Sequence, residues 1–209
     1  MSHTKEFDVK RNEIVDCAER LFISRGYELT TVNAILKEVG IAKGTFYYYF
    51  ASKEEVMDAV IMKIVEEDWA YAKKILATKQ MTAFEKLMAC LFVQPKSENR
   101  KVMIEQLYEA NNAIMKQRAL QRTLEVVCPV YAQMVQEGTL QGEFSSSHPL
   151  ADMQFLLAGI QSLYDLSNVE HSRITVDPDS VLDILFRVLQ LDEATISKED
   201  ARAMLTQSM

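Results

Sequence analysis

Residues 30–55 read TTVNAILKEVGIAKGTFYYYFASKEE, and this stretch decides the fold. Apolar residues recur at helical spacing as far as Val39, Gly40 interrupts the run, and a short segment rich in Thr and Tyr follows. Ser52-Lys-Glu-Glu55 then matches the Ser-x-x-Glu capping box that opens a further helix. Gly40 stands where one helix must stop and the chain must reverse. Such a stop calls for a left-handed residue, and glycine takes that conformation without steric cost. The layout is that of a helix-turn-helix. Its second helix, Lys43 to Tyr49, gathers a cation, hydroxyls and flat rings on two turns, groups able to touch phosphates and base edges in a major groove.

Upstream, residues 8–25 place Ile14, Cys17, Ala18, Leu21 and Phe22 on one face of an amphipathic helix, and Gly26 is its expected stop. Thr30 or Thr31 can cap the next helix, in which Ile35, Leu36 and Val39 point inward. Ile41, in the turn, is expected to plug the core between the two reader helices. After the capping box a long helix runs to about Leu76, with Val56, Ala59, Val60 and Ile64 on its inner side. Further helical patterns cover roughly 82–93, 98–110, 112–137, 149–168, 178–191 and 197–207. Pro129 lies inside the third of these and predicts a kink or break near Val126–Cys128. The chain therefore reads as all-α. Residues 1–53 form a three-helix helix-turn-helix head, 53–76 a linker helix, and 77–209 a helical body.

The composition agrees. The chain has 209 residues, 48% of them hydrophobic and 25% charged, with six Gly and four Pro, as expected of a globular helical protein. Residues 1–53 hold eight Lys/Arg against seven Asp/Glu, so the head is +1 and the remainder carries −8 of the net −7. Such a balance excludes a protein that coats nucleic acid by bulk charge, and leaves room for a DNA-facing end on a body that phosphates repel. Cys17, Cys90 and Cys128 are odd in number and far apart, which argues against a disulfide framework or a metal site and for a reducing cytosol. The polar N-terminus lacks the apolar stretch of a signal peptide, and no run approaches the 18 apolar residues of a membrane span. His3, His148 and His171 are scattered, and no nucleophile elbow, phosphate loop or dinucleotide fingerprint occurs. The expectation is a non-enzyme with no cofactor.

With these residues in view, the chain resembles the TetR family of bacterial transcriptional regulators. The likeness lies in residues 10–60: a first helix ending in Arg-Gly-Tyr, then Thr-Thr-Val, Val-Gly-Ile-Ala-Lys-Gly-Thr-Phe-Tyr-Tyr-Tyr-Phe and Ser-Lys-Glu-Glu. Beyond residue 60 only the architecture matches. The resemblance implies a DNA-binding head and a helical body that dimerises and often binds a small effector. Two positions depart from the family pattern. Leu36 stands where a small residue, often Ala, is usual, and Ala42 stands where Ser often caps the recognition helix. Losing such a cap costs roughly 1 kcal/mol.

Lys43 can donate to guanine or to a phosphate, and Thr45 can bond a base edge or pack on a thymine methyl. Phe46 and Phe50, four residues apart, are expected in the core. The neighbours Tyr47, Tyr48 and Tyr49 differ by about 100° around a helix and cannot share one face. Tyr48 matches the family position that points at bases, whereas Tyr47 and Tyr49 match phosphate-contacting positions, with packing of the head as the alternative for Tyr49. Lys53 matches a phosphate-contacting lysine at a helix N-terminus, a place that attracts anions. Thr31 and Asn33 are weaker candidates. One such helix covers a few base pairs, so specific affinity calls for a homodimer on a roughly palindromic duplex operator, with half-sites about 34–36 Å apart or a multiple.

In the body, Phe155, Leu156, Gly159, Ile160 and Leu163 form one apolar stripe, and Val181, Leu182, Leu185, Phe186 and Leu189 a second. They read as a four-helix dimer interface, with burial inside one subunit as the alternative. Candidate walls of an effector pocket are Met88, Phe92, Met103, Leu107, Tyr108, Ile114, Met115, Cys128, Tyr131 and Tyr164. Their chemistry favours an apolar or amphipathic small molecule. The functional expectation is a ligand-responsive repressor released from its operator by that effector. The alternatives are a redox-sensing regulator using Cys90 or Cys128, and a helical small-molecule binder that has lost DNA reading.

Overall fold

The computed structural model describes residues 2–92, 112–169, 171–191 and 196–207, and all regular secondary structure among them is helical. The helices are α1 (Ser2–Arg25), α2 (Val32–Val39), α3 (Lys43–Tyr49), α4 (Lys53–Leu76), α5 (Ala83–Phe92), α6 (Ala113–Arg122), α7 (Cys128–Gln141), α8 (Pro149–Ser167), α9 (Pro178–Leu189) and α10 (Lys198–Gln207). The pattern at 98–110 lies outside the described residues. The chain forms two compact units. Of the described residues, the first contains those up to Ile64 together with 112–119, and the second contains 65–92 together with those from Leu120 onward.

In the first unit α1 stops where Gly26 turns left-handed (φ 85) and returns its N–H to the Phe22 carbonyl at 2.9 Å. The two threonines then divide the work. Thr31 Oγ1 accepts the Ala34 N–H at 3.1 Å and caps α2. Thr30 is fully buried, and its hydroxyl faces the carbonyls of Gly26 (2.8 Å) and Leu21 (3.2 Å), so its polarity is satisfied where water is excluded. Ile14, Ala18, Phe22, Ile35, Phe46, Phe50, Val56, Met57 and Val60 fill the core. At the start of α4, Ser52 accepts the Glu55 N–H (3.2 Å), and the Glu55 carboxylate reaches back to the Ala51 N–H (2.6 Å). Lys63 of α4 ties down α1 through Asp16 (2.8 Å) and Glu19 (2.6 Å).

In the second unit α7 packs on α5 and α8, α8 on α9, and α9 on α10. Leu87, Met134, Val135, Met153, Leu182, Leu185 and Leu189 form its centre. Pro129 leaves its mark where expected. It has no N–H for the Glu125 carbonyl and its ring would strike that group, so the ladder widens to a π turn at Thr123–Val127, closed by Cys128 N–H to Thr123 O. The helix runs on into α7 without breaking. A reciprocal box of Thr82 and Glu85 opens α5 (2.8 and 3.1 Å), and the buried Glu143 carboxylate caps the same end by accepting the N–H groups of Ala83 (3.2 Å) and Phe84 (2.8 Å). Among the described residues no helix is long and apolar enough to cross a membrane.

Candidate nucleic-acid interface

Gly40 carries out the reversal between α2 and α3 at φ 74, and the N–H groups of Gly40 and Ile41 both return to the Leu36 carbonyl, at 3.0 and 3.1 Å. A Cβ at Gly40 would meet nothing within 4 Å, so dihedral angle rather than space demands glycine here. Leu36 and Ile41 are half-buried, and the larger Leu36 is accommodated at the edge of the core. Ala42 starts α3 without a side-chain bond to the backbone, as its chemistry requires.

Two side chains anchor α3. Phe46 and Phe50 are buried on its inner face with ring centroids 6.1 Å apart, and the Arg11 guanidinium of α1 lies 4.8 Å over the Phe50 ring. The opposite face is set by that choice. Tyr48 is 64% exposed and Tyr47 48% exposed, beside an exposed Lys43 whose ammonium lies 5.9 Å from the Tyr47 ring. Thr45 is half-buried on the same short helix. Tyr49 is half-buried, 4.8 Å from the Phe7 ring of α1. Thr31 and Asn33 are exposed at the start of α2; the Thr31 oxygen accepts the capping bond and its hydroxyl proton is left to donate outward.

Lys53 is differently placed from its expectation. Its ammonium donates to the Tyr27 carbonyl at 3.0 Å and sits 4.0 Å over the Tyr27 ring, so in this state it stabilises the head's own turn. Tyr27 is held on every side: its N–H donates to the buried Asn112 amide oxygen (2.8 Å) and its hydroxyl to Glu54 (3.3 Å). Burial and the Glu54 carboxylate push the Tyr27 phenol up to about 12.

Sequence reasoning missed Phe7, Arg11, Asn112 and the Tyr27–Lys53 pair. The first two carried a signal. Phe7, Arg11, Ile14 and Ala18 continue one helical stripe, and following it upstream would have extended α1 to cover α3. Asn112 is 85 residues from its partner and carried none.

The body requires corrections. The five α9 residues assigned to a dimer face, Val181, Leu182, Leu185, Phe186 and Leu189, are buried inside the chain; Phe186 meets Phe84 of α5 edge-on with centroids 5.9 Å apart. Burial within the subunit accounts for that stripe. On α8, Leu156 is buried and Ile160 half-buried, while Phe155 (70% exposed), Gly159 and Leu163 face outward. Of the pocket residues, Met88, Cys128 and Tyr131 are buried and Phe92 half-buried in the second unit, and Met115 is buried in the first. Ile114 and Tyr164 are exposed, because their neighbours Met115 and, earlier on α8, Met153 and Leu156 define the inner faces. Met103, Leu107 and Tyr108 lie outside the described residues. Burial pushes the Tyr131 phenol far up, and the surrounding Cys90, Asp68, Cys128 and Tyr71 add to it. Burial also pushes the Cys90 thiol up to about 12, with Asp68 adding, and the Cys128 thiol up to about 11. Among the described residues no group of three His, Cys, Asp or Glu could hold a metal ion.

A short helix with a buried aromatic inner face, led in by a left-handed glycine, and a solvent-facing row of tyrosines and a lysine define a helix-turn-helix head for reading duplex DNA. Known proteins agree. The family model "Bacterial regulatory proteins, tetR family" matches residues 14–60. The HTH-type transcriptional regulator YfiR of Bacillus subtilis is 26% identical over 157 residues, 71% of this chain and 75% of that one. The HTH-type transcriptional repressor KstR2 of Mycobacterium tuberculosis is 38% identical over 64 residues, a match spanning 31% of each chain. The structure of RolR in complex with resorcinol aligns over 98% of this chain and 97% of that one with a TM-score of 0.65 at 16% identity, a likeness of fold. Residues 14–60 of the chain thus carry the N-terminal head of the TetR family of bacterial transcriptional regulators.

Proposed function

We propose that this regulator is a ligand-responsive repressor that binds a roughly palindromic operator as a homodimer and is released by a small apolar or amphipathic effector. Residues 1–53 serve as the reader, 53–76 as the linker helix and 77–209 as the body. The observation that carries the reading is the outward row of Lys43, Tyr47 and Tyr48 on a helix whose Phe46 and Phe50 are locked into the core. Exposed rings of that size serve the monomer poorly and suit a major groove. The repressor named among the relatives and the small phenol bound by a neighbour of the same fold support the finer assignment. The exposed Phe155, Gly159 and Leu163 of α8 suit contact with a second copy. For the effector, the buried Tyr131 with Cys128 and Met88 supplies mostly apolar contacts and few polar ones, in line with an amphipathic molecule.

The test is selection of bound duplexes from a random pool, followed by gel shift of the recovered sequence over a salt series. A two-fold repeated half-site and a linear fall of log affinity with log salt, of the modest slope that few phosphate contacts per half-site give, are expected. A monomer that enriches no sequence refutes the reading.

A further inference from the structure

We propose that Phe7 of α1 is a positioning residue for sequence recognition, acting by holding the Tyr48 and Tyr49 rings of α3 in their DNA-competent arrangement. The inference rests on the reading of α3 as the DNA-facing helix. Three rings meet at this place. Phe7 lies 5.6 Å from Tyr48 with planes at 75°, and 4.8 Å from Tyr49 with planes at 42°. Tyr48 and Tyr49 are themselves 5.0 Å apart at 84°. Tyr48 is thus an exposed side chain with an edge contact from each of two neighbours, geometries in which the positive ring edge meets a negative face. An exposed tyrosine without such contacts exchanges rotamers freely and loses that freedom on binding. Here the freedom is given up on folding, so less is lost when a duplex arrives.

The geometry extends one turn along α1. Arg11, four residues after Phe7 and on the same face, covers the Phe50 ring at 4.8 Å. Lys10 and Glu13 pair on the adjoining surface. The first turns of α1 are therefore seated on α3 at two aromatic contacts, one inner (Phe50) and one outer (Tyr48 and Tyr49). Phe7 itself is half-buried and outside the central core of Ile14, Phe22 and Phe46, so its ring is not needed to close that core.

The test uses the full chain and the operator duplex recovered by the wild-type protein from a random pool, with a scrambled duplex of equal length. Phe7→Ala is expected to bind the operator roughly tenfold more weakly per half-site, because the Tyr48 and Tyr49 rings are then ordered on binding instead of on folding. Affinity for the scrambled duplex and the salt slope are expected to stay within error, because no charge is removed, while Tm falls by no more than a few degrees, because no central core atom is lost. Phe7→Tyr is expected to restore operator affinity and Phe7→Leu to restore it only in part. In a Tyr48→Ala background, Phe7→Ala is expected to add little further loss, since it acts through that ring. Equal operator affinity of wild type and Phe7→Ala overturns the proposal, as does a proportional loss of affinity on both duplexes, or full additivity with Tyr48→Ala. A wild-type chain that does not distinguish operator from scrambled duplex instead overturns the DNA-reading assignment itself, and this inference with it.

Discussion

Gly138 in α7 is the place where one added methyl group should do the most damage to the body. A Cβ there would lie 2.3 and 2.4 Å from the Phe144 ring carbons and 2.8 Å from Ala83 Cβ. Both neighbours are buried, and one belongs to the first turn of α5, so neither can simply swing away. Two effects compete in Gly138→Ala. Helix propensity favours alanine by about 1 kcal/mol. Overpacking in a closed core costs about 1–3 kcal/mol, and contacts this short belong at the upper end. The net effect is a loss of about 1–2 kcal/mol. For a chain of this size that lowers Tm by roughly 2–4 °C per kcal/mol, or about 2–8 °C. The damage spreads, because the Gly138 carbonyl accepts the Glu143 N–H at 2.8 Å and the Glu143 carboxylate caps α5. Thermal unfolding at fixed protein concentration measures it. The double variant Gly138→Ala, Phe144→Leu should recover part of the loss, since the smaller side chain withdraws the obstructing ring edge. A single Gly138→Ala variant with unchanged or raised Tm refutes the reasoning.

Asn112→Ala leaves the buried Tyr27 N–H without its acceptor and should cost about 1–3 kcal/mol, read as a lower urea midpoint with unchanged m. Lys43→Ala should weaken binding to every duplex and reduce the slope of log affinity against log salt by about 0.9 per half-site, as for one lost phosphate contact; an unchanged slope would mean the lysine stays in solvent. Cys90 and Cys128, with thiols up to about 12 and about 11, should alkylate at pH 8 on the order of a hundredfold or more slowly than a free thiol near 8.5, and mild oxidation should leave operator binding intact. Reversible loss of binding on oxidation would restore the redox-sensing alternative. The Tyr27 phenol, about 12 in the fold against about 10 unfolded, is favoured in its neutral form by folding. Its contribution is complete below about pH 10 and is lost as pH rises toward 12, so Tyr27→Phe should flatten the fall in stability across that window.

How far the sequence could be read depended on whether the deciding interactions were local. Gly40, the Ser52–Glu55 box and the Pro129 irregularity each act within five residues, and each stands where the pattern put it; of the two threonines the pattern offered as caps, Thr31 takes the role. The split between Phe46 and Phe50 inside and Tyr47 and Tyr48 outside follows from the 100° step of a helix. The stripe on α9 shows the limit. An apolar face at helical spacing looks the same whether it meets its own subunit or a second copy, and only the packing of Phe186 on Phe84 decides between them. Lys53 shows another. A lysine at a helix N-terminus offers its ammonium to any oxygen in reach, and the Tyr27 carbonyl, 26 residues away in sequence, is one the local pattern does not reveal.

The Lys53 contact bears on how the head must gain its affinity. The head carries only +1, and of the two lysines that bracket α3, one is occupied by the Tyr27 carbonyl and ring while Lys43 faces solvent. Few phosphates can then be neutralised at each half-site, so the sequence-independent share of binding, which grows with each counterion released, is small. On the proposed reading, what remains is contact by Tyr47, Tyr48 and Thr45, whose value depends on their being in place beforehand, because uncharged ring contacts are weak and directional. A reader built on rings more than on charge therefore needs a fixed α3 and a second copy to double a modest half-site energy. The same economy explains why an acidic remainder of −8 over residues 54–209 is tolerable: with little long-range attraction to lose, its repulsion of the DNA backbone costs the specific complex less than it costs indiscriminate binding.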